Sequence, residues 1–106
     1  MPKYLFRASY TAEGAAGILK EGGRGRAAAV ETLVASLGGT VEAQYWGFGQ
    51  DDYFLVADLP DAVAAATASL TVAASGAARV TTVPLLTAAD IDEAVGRRAE
   101  YRPPGR

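Results

Sequence analysis

The sequence predicts an α+β fold: strands and helices in the order β-α-β-β-α-β, a four-stranded antiparallel sheet with its helices on one face, and an extra helix at the C-terminus. Three observations carry this. Residues 3–10 alternate with period two and are rich in aromatics, as a half-buried strand requires. Two apolar runs, 40–48 and 52–59, are joined by a short Gly-Gln-Asp segment and read as an antiparallel hairpin. Each half of the chain then carries a stretch with helical spacing between strands.

The elements follow in order. In KYLFRASY, Tyr4, Phe6, Ala8 and Tyr10 fall on one side, and Lys3, Leu5, Arg7 and Ser9 on the other. Thr11 offers an N-cap for a helix over Ala12 to Lys20. Gly22-Gly23 breaks it, and from Arg24 the helical pattern resumes with Ala27, Val30, Val34 and Leu37. Gly38-Gly39 closes this second limb. The predicted hairpin follows, with its turn at Gly49-Gln50-Asp51. Pro60-Asp61 opens a helix to about Ala74, whose small side chains suit close approach to a sheet. Residues 78–85 form the fourth strand, and Pro84 places its end at a sheet edge. Thr87 to Asp90 resembles a capping box and starts a last short helix. Residues 1–100 make a single domain, and 101–106 a flexible tail. This is the split βαβ, or ferredoxin-like, order with a broken first helix.

Strand parity then sorts the sheet. Tyr4, Phe6, Ala8, Val41, Ala43, Tyr45, Tyr53, Leu55, Ala57 and Val80 are expected to meet the helices. Leu5, Arg7, Glu42, Gln44, Trp46, Asp52, Phe54, Val56, Arg79, Thr81 and Val83 are expected on the uncovered face, joined there by Phe48. That face is too apolar for a solvent-facing sheet, so sheet-to-sheet packing of two copies about a C2 axis is expected. A bulge would reverse part of this sorting.

Composition narrows the functions. Among 106 residues there is no Cys and no His, which excludes disulfides, thiolate and imidazole metal ligands, and Ser–His or Cys–His pairs. Hydrophobic residues make up 50%, charged residues 21%, and the net charge is −2, which excludes a wholly disordered chain. An acidic pI of about 5.0 argues against nucleic acid as a partner. No run approaches a membrane span, no secretory signal stands out, and a cytoplasmic location is the default expectation. No cofactor or metal is expected.

The candidate ligand-binding residues are Arg7, Gln44, Trp46, Asp52, Phe54 and Arg79. Gly49 and Asp52 read as turn residues, or Asp52 as a carboxylate at a cavity mouth. Asp51 beside Asp52 projects to the opposite face, which disfavours an oxygen-only metal site. Trp46 reads as an interface aromatic, or as a platform for a planar ligand. Arg7 and Arg79, on neighbouring strands, read as rim ion-pair partners for Glu42 or Asp52 of a second copy, or as an anion pocket. Gly22 to Arg26 lacks the phosphate-loop pattern and reads as a helix break.

The opening Pro2-Lys3-Tyr4-Leu5, the Gly38-Gly39 pair, and Tyr45-Trp46 followed by Gly49-Gln50-Asp51-Asp52 resemble the GYD-domain family. The likeness spans roughly residues 2–95. It implies the dimeric α+β barrel form of the ferredoxin-like fold, and it supplies a fold and not a reaction. The family's naming motif is Gly-x-Tyr-Asp, and here Asp51 stands in the Tyr place. Two functions are expected of such a chain. One is a small homodimeric ligand-binding protein, its pocket at the sheet face taking a planar or anionic molecule. The other is a cofactor-independent enzyme of the dimeric-barrel type, an oxygenase or isomerase.

Overall fold

The computed structural model describes residues 1–106. The elements are β1 (Lys3–Tyr10), α1 (Ala12–Ser36), β2 (Thr40–Trp46), β3 (Tyr53–Asp58), α2 (Ala62–Ala74), β4 (Ala78–Leu85) and α3 (Ala88–Gly96). The sheet order is β2-β3-β1-β4, with every neighbouring pair antiparallel. β1 is central because its alternation places Tyr4, Phe6 and Ala8 against the helices, where all three are buried.

The helix boundaries are set by local chemistry. Thr11 caps α1 by accepting from the Gly14 amide, and Asp61 caps α2 by accepting from the Ala64 amide at 2.9 Å. Pro60 lies just outside this cap. α1 is two limbs, as the Gly22-Gly23 pair leads one to expect. Gly22 sits at φ 79°, ψ 171°, a conformation open essentially to glycine alone. At the end of α1, Gly38 takes φ 82°, while its amide bonds the Ala35 carbonyl and the Gly39 amide bonds the Val34 carbonyl. These are the paired bonds of a Schellman motif. At α3 the capping box is complete: the Asp90 amide donates to the Thr87 hydroxyl, and the Thr87 amide to the Asp90 carboxylate. The Thr87 amide's bond to the carboxylate, with the Thr87 hydroxyl beside it, holds the Asp90 carboxyl below its ordinary pKa.

The core is one cluster between sheet and helices. Phe6, Tyr53, Leu55 and Leu59 meet Val34 of α1 and Ala65 and Ala68 of α2. α1 packs on β1 and β2, and α2 on β4. The first limb of α1, all of α3 and the stretch after it are largely exposed, and the molecule measures 56 × 33 × 22 Å, with a radius of gyration of 16.8 Å. No helix is long and apolar enough to cross a membrane.

One departure from the expected sheet matters for function. Val41 pairs with Ala57, but Ala43 pairs with Val56, leaving Glu42 as an extra residue in a β-bulge. Beyond it every side chain of β2 changes face. Gln44 and Trp46, expected on the uncovered face, oppose Leu55 and Tyr53 on the helix side. Ala43 and Tyr45, expected to face the helices, oppose Val56 and Phe54 on the uncovered side, where Tyr45 is exposed. The hairpin connection is also longer than a tight turn, running from Gly47 to Asp52 and closed by the Gly47 amide on the Asp52 carbonyl at 3.0 Å.

Candidate functional site

Two helices that cover different parts of the sheet leave space between them. An apolar cavity of about 290 Å³ opens there, over the helix-facing side of β1, β3 and β4. Phe6 and Leu55 form its floor, Val30 and Leu33 of α1 one wall, and Ala68 and Val72 of α2 the other. A dry cavity of about 150 Å³ lined by such side chains holds a benzene-sized molecule. This one therefore has room for a small organic ligand.

The polar groups gather at one end. Tyr10 of β1, Trp46 of β2 and Tyr53 of β3 form an aromatic cluster. The Trp46 and Tyr53 ring centroids are 5.0 Å apart, and those of Tyr10 and Tyr53 6.4 Å. The Tyr53 hydroxyl donates to Gln44 Oε1 at 2.6 Å. Gln44 Nε2 reaches the Ala27 carbonyl of α1 at 3.5 Å, tying strand to helix. The indole N–H of Trp46 donates to the Tyr10 hydroxyl oxygen at 3.3 Å, which leaves that hydroxyl's own proton for another acceptor. Arg26, on the second limb of α1, also lines the cavity. The Glu21 carboxylate lies 3.4 Å from its Nε without forming an aligned hydrogen bond.

Burial pushes the Tyr53 hydroxyl well above the ordinary phenol pKa, and burial pushes Tyr10 up as well. Both therefore stay protonated at neutral pH and act as hydrogen-bond donors rather than bases. The arrangement can hold an apolar body and orient one acceptor group.

The six residues singled out from sequence separate into three places. Gln44 and Trp46, brought to the helix side by the bulge, do not line the cavity themselves but hydrogen-bond Tyr53 and Tyr10, which do. Asp52 is a structural capping group: its carboxylate accepts from the Tyr10 amide at 3.0 Å, fastening the loop to the end of β1. Arg7, Phe54 and Arg79 share the uncovered face, where Arg7 opposes Phe54 and Thr81, and Arg79 opposes Ser9. Tyr10, Tyr53 and Arg26 were not among the six, although all three line the cavity. The signal for Tyr10 and Tyr53 lies in the alternation, which places both on the helix side beside small alanines that cannot fill the space. Arg26 carries a weaker one, its position one residue before the apolar stripe of α1.

Among the chain's acidic residues no cluster of three or more is placed to hold a metal ion. No curated protein and no solved structure matches the chain. The family model for the GYD domain matches residues 4–95, from the first core tyrosine of β1 to the last turn of α3. With 92 of its 106 residues inside that match, the chain belongs to the GYD-domain family.

Proposed function

We propose that this protein binds a small, mainly apolar molecule in the cavity between its helices and its sheet. The observation that carries this is the cavity itself, about 290 Å³ of apolar space with the free Tyr10 hydroxyl proton and the Arg26 guanidinium at one end. A planar molecule with one acceptor or anionic group suits that lining: its body lies among Phe6, Leu55 and Val72, and its polar group meets Tyr10 and Arg26. The protonated state of both tyrosines weighs against an enzyme that would use a phenolate base here, and so favours binding over catalysis.

We further propose that the protein works as a homodimer through its uncovered sheet face. Leu5, Tyr45, Phe54, Val56 and Val83 give that face an apolar surface with no helix over it. A second copy presents the same surface and can cover it about a two-fold axis.

Native mass spectrometry on protein purified gently from its own host tests both readings. A dimer mass is expected, with a reproducible excess of one small molecule per protomer. A titration with the neutral fluorophore N-phenyl-1-naphthylamine supplements it, and saturable binding near one probe per protomer is expected. A bare protein that also leaves the probe dark overturns the binding reading. A monomer at micromolar concentration overturns the dimer.

A further inference from the structure

The uncovered face carries a second feature that the apolar cavity does not use. At its end nearest the β2–β3 connection lies a depression of about 310 Å³ lined by Arg7, Ser9, Gln50, Asp51, Arg79 and Thr81. Arg7 and Arg79 are diagonal neighbours on paired strands, since Arg7 opposes Thr81 and Arg79 opposes Ser9. Such neighbours stand about 7 Å apart, close enough for two like charges to repel and for one anion to meet both.

Neither arginine has a counter-charge within the chain. The ion pairs are Lys3 with Glu42 and Asp58, Arg26 with Glu21, and Arg97 with Glu93. Glu42 and Asp52, the acids expected to neutralise this pair, are occupied: Glu42 takes Lys3 at 2.9 Å, and Asp52 takes the Tyr10 amide. Asp51 lines the same depression but pairs with neither arginine. Most telling, Arg7 Nε is buried and has no hydrogen-bond partner. A desolvated guanidinium N–H without an acceptor is an unfavourable arrangement, which a turn of the Arg7 side chain toward an acceptor in the depression relieves.

The depression is also built to keep its shape. The Ser9 hydroxyl donates to the Gln50 carbonyl, and the Asp52 amide donates to the Ala8 carbonyl at 2.8 Å, so the loop wall is fastened to β1 at the two residues that follow Arg7. The Thr81 hydroxyl, on the residue opposite Arg7 and two along β4 from Arg79, lines the same depression and adds a neutral donor.

We propose that Arg7 and Arg79, with the Thr81 hydroxyl, form a binding site for a small oxyanion, the carboxylate or phosphate group of a ligand. A planar guanidinium offers paired N–H donors that match two oxygens of either group. The site lies on the opposite side of the sheet from the apolar cavity and stands independently of it.

Inorganic phosphate and acetate are the probes, titrated into the full-length protein at constant ionic strength with the Arg7 Nε–Hε signal followed by NMR. A saturable shift is expected, with a dissociation constant on the order of 1 mM for phosphate. Arg79→Gln is exposed and keeps the fold; it is expected to weaken binding about tenfold, as is Arg7→Gln. Asp51→Asn removes the nearby negative charge and is expected to tighten binding about two- to threefold. Arg97→Gln, on the distant end of α3, is expected to change nothing. No saturable shift with either probe overturns the proposal. So does binding that survives Arg79→Gln, or an Arg7 signal that responds to protein concentration and not to anion, because a second copy's carboxylate would then be the partner.

Discussion

A larger side chain placed in the open space between α1 and α2 stabilises the protein, because it fills volume that no protein atom occupies. Ala68 tests this. It is buried on α2 and lines the cavity. Leucine there adds three carbons, which at about 0.8 kcal/mol each is worth roughly 2.4 kcal/mol of burial. Ordering the longer side chain returns about 0.5–1 kcal/mol. Helix propensity changes little between these two residues. The expected net gain is therefore about 1.5 kcal/mol. In a filled core the same substitution costs about 1–3 kcal/mol through overpacking. The sign of the change thus distinguishes space from packing. Urea denaturation at fixed protein concentration reads it as a midpoint raised by about 0.5–1.5 M. Fixed concentration matters because association stabilises by mass action. The same leucine projects from the α2 wall into the ligand's space, so N-phenyl-1-naphthylamine binding is expected to weaken about tenfold or more. A lowered midpoint together with unchanged probe binding would falsify the reading of this cavity as the binding site.

Three further outcomes follow from the geometry. Tyr53→Phe leaves Gln44 Oε1 without its 2.6 Å donor and is expected to destabilise by about 1–2 kcal/mol, with a change in emission of the single tryptophan, whose ring lies 5.0 Å away. Unaltered emission and stability would sink the proposed polar tie. The raised pKa of Tyr53 sets an alkaline limit: the folded state keeps a proton that the unfolded state loses above pH about 10, so stability present below that pH falls as pH rises further, by at most about 1.4 kcal/mol per unit. Tyr10 adds to the same slope, and denaturation midpoints that stay flat between pH 9 and 11 in wild type would contradict it. Gly39→Ala places a Cβ against the Asp58 carbonyl oxygen and 2.6 Å from Leu59 Cδ2, at a point where backbone must move. Thermal unfolding is expected to show a loss above about 2 kcal/mol, and a loss under about 0.5 kcal/mol would show the contact to be soft.

Much of the fold was legible because its punctuation is chemical. Thr11, Asp61 and Thr87 announce helix starts through side-chain oxygens, and Gly22 and Gly38 announce a break and an end through conformations that other residues avoid. The alternation of β1 marks its faces without ambiguity. The site was less legible for two physical reasons. The bulge at Glu42 sits in a Val-Glu-Ala segment with no glycine or proline to mark it, and it is followed by Tyr45-Trp46, two aromatics that suit either face. The cavity is a tertiary property: the alanines of α2 do let Ala65 and Ala68 pack closely, yet nothing local says that α1 will settle over β1 and β2 and leave the neighbouring space open. Arg7, Phe54 and Arg79 stayed where parity put them because β1, β3 and β4 pair without a slip.

The protomer has an unusual size for its mass. A compact chain of 106 residues would have a radius of gyration of about 13 Å. The same scaling assigns the observed 16.8 Å to a globule of about 210 residues. One copy therefore scatters X-rays at low angle with the radius of gyration of a compact particle of about two copies. The stoichiometry must come from mass, because a large radius at low angle reports an elongated single copy, with distances reaching toward 56 Å, as readily as an associated pair.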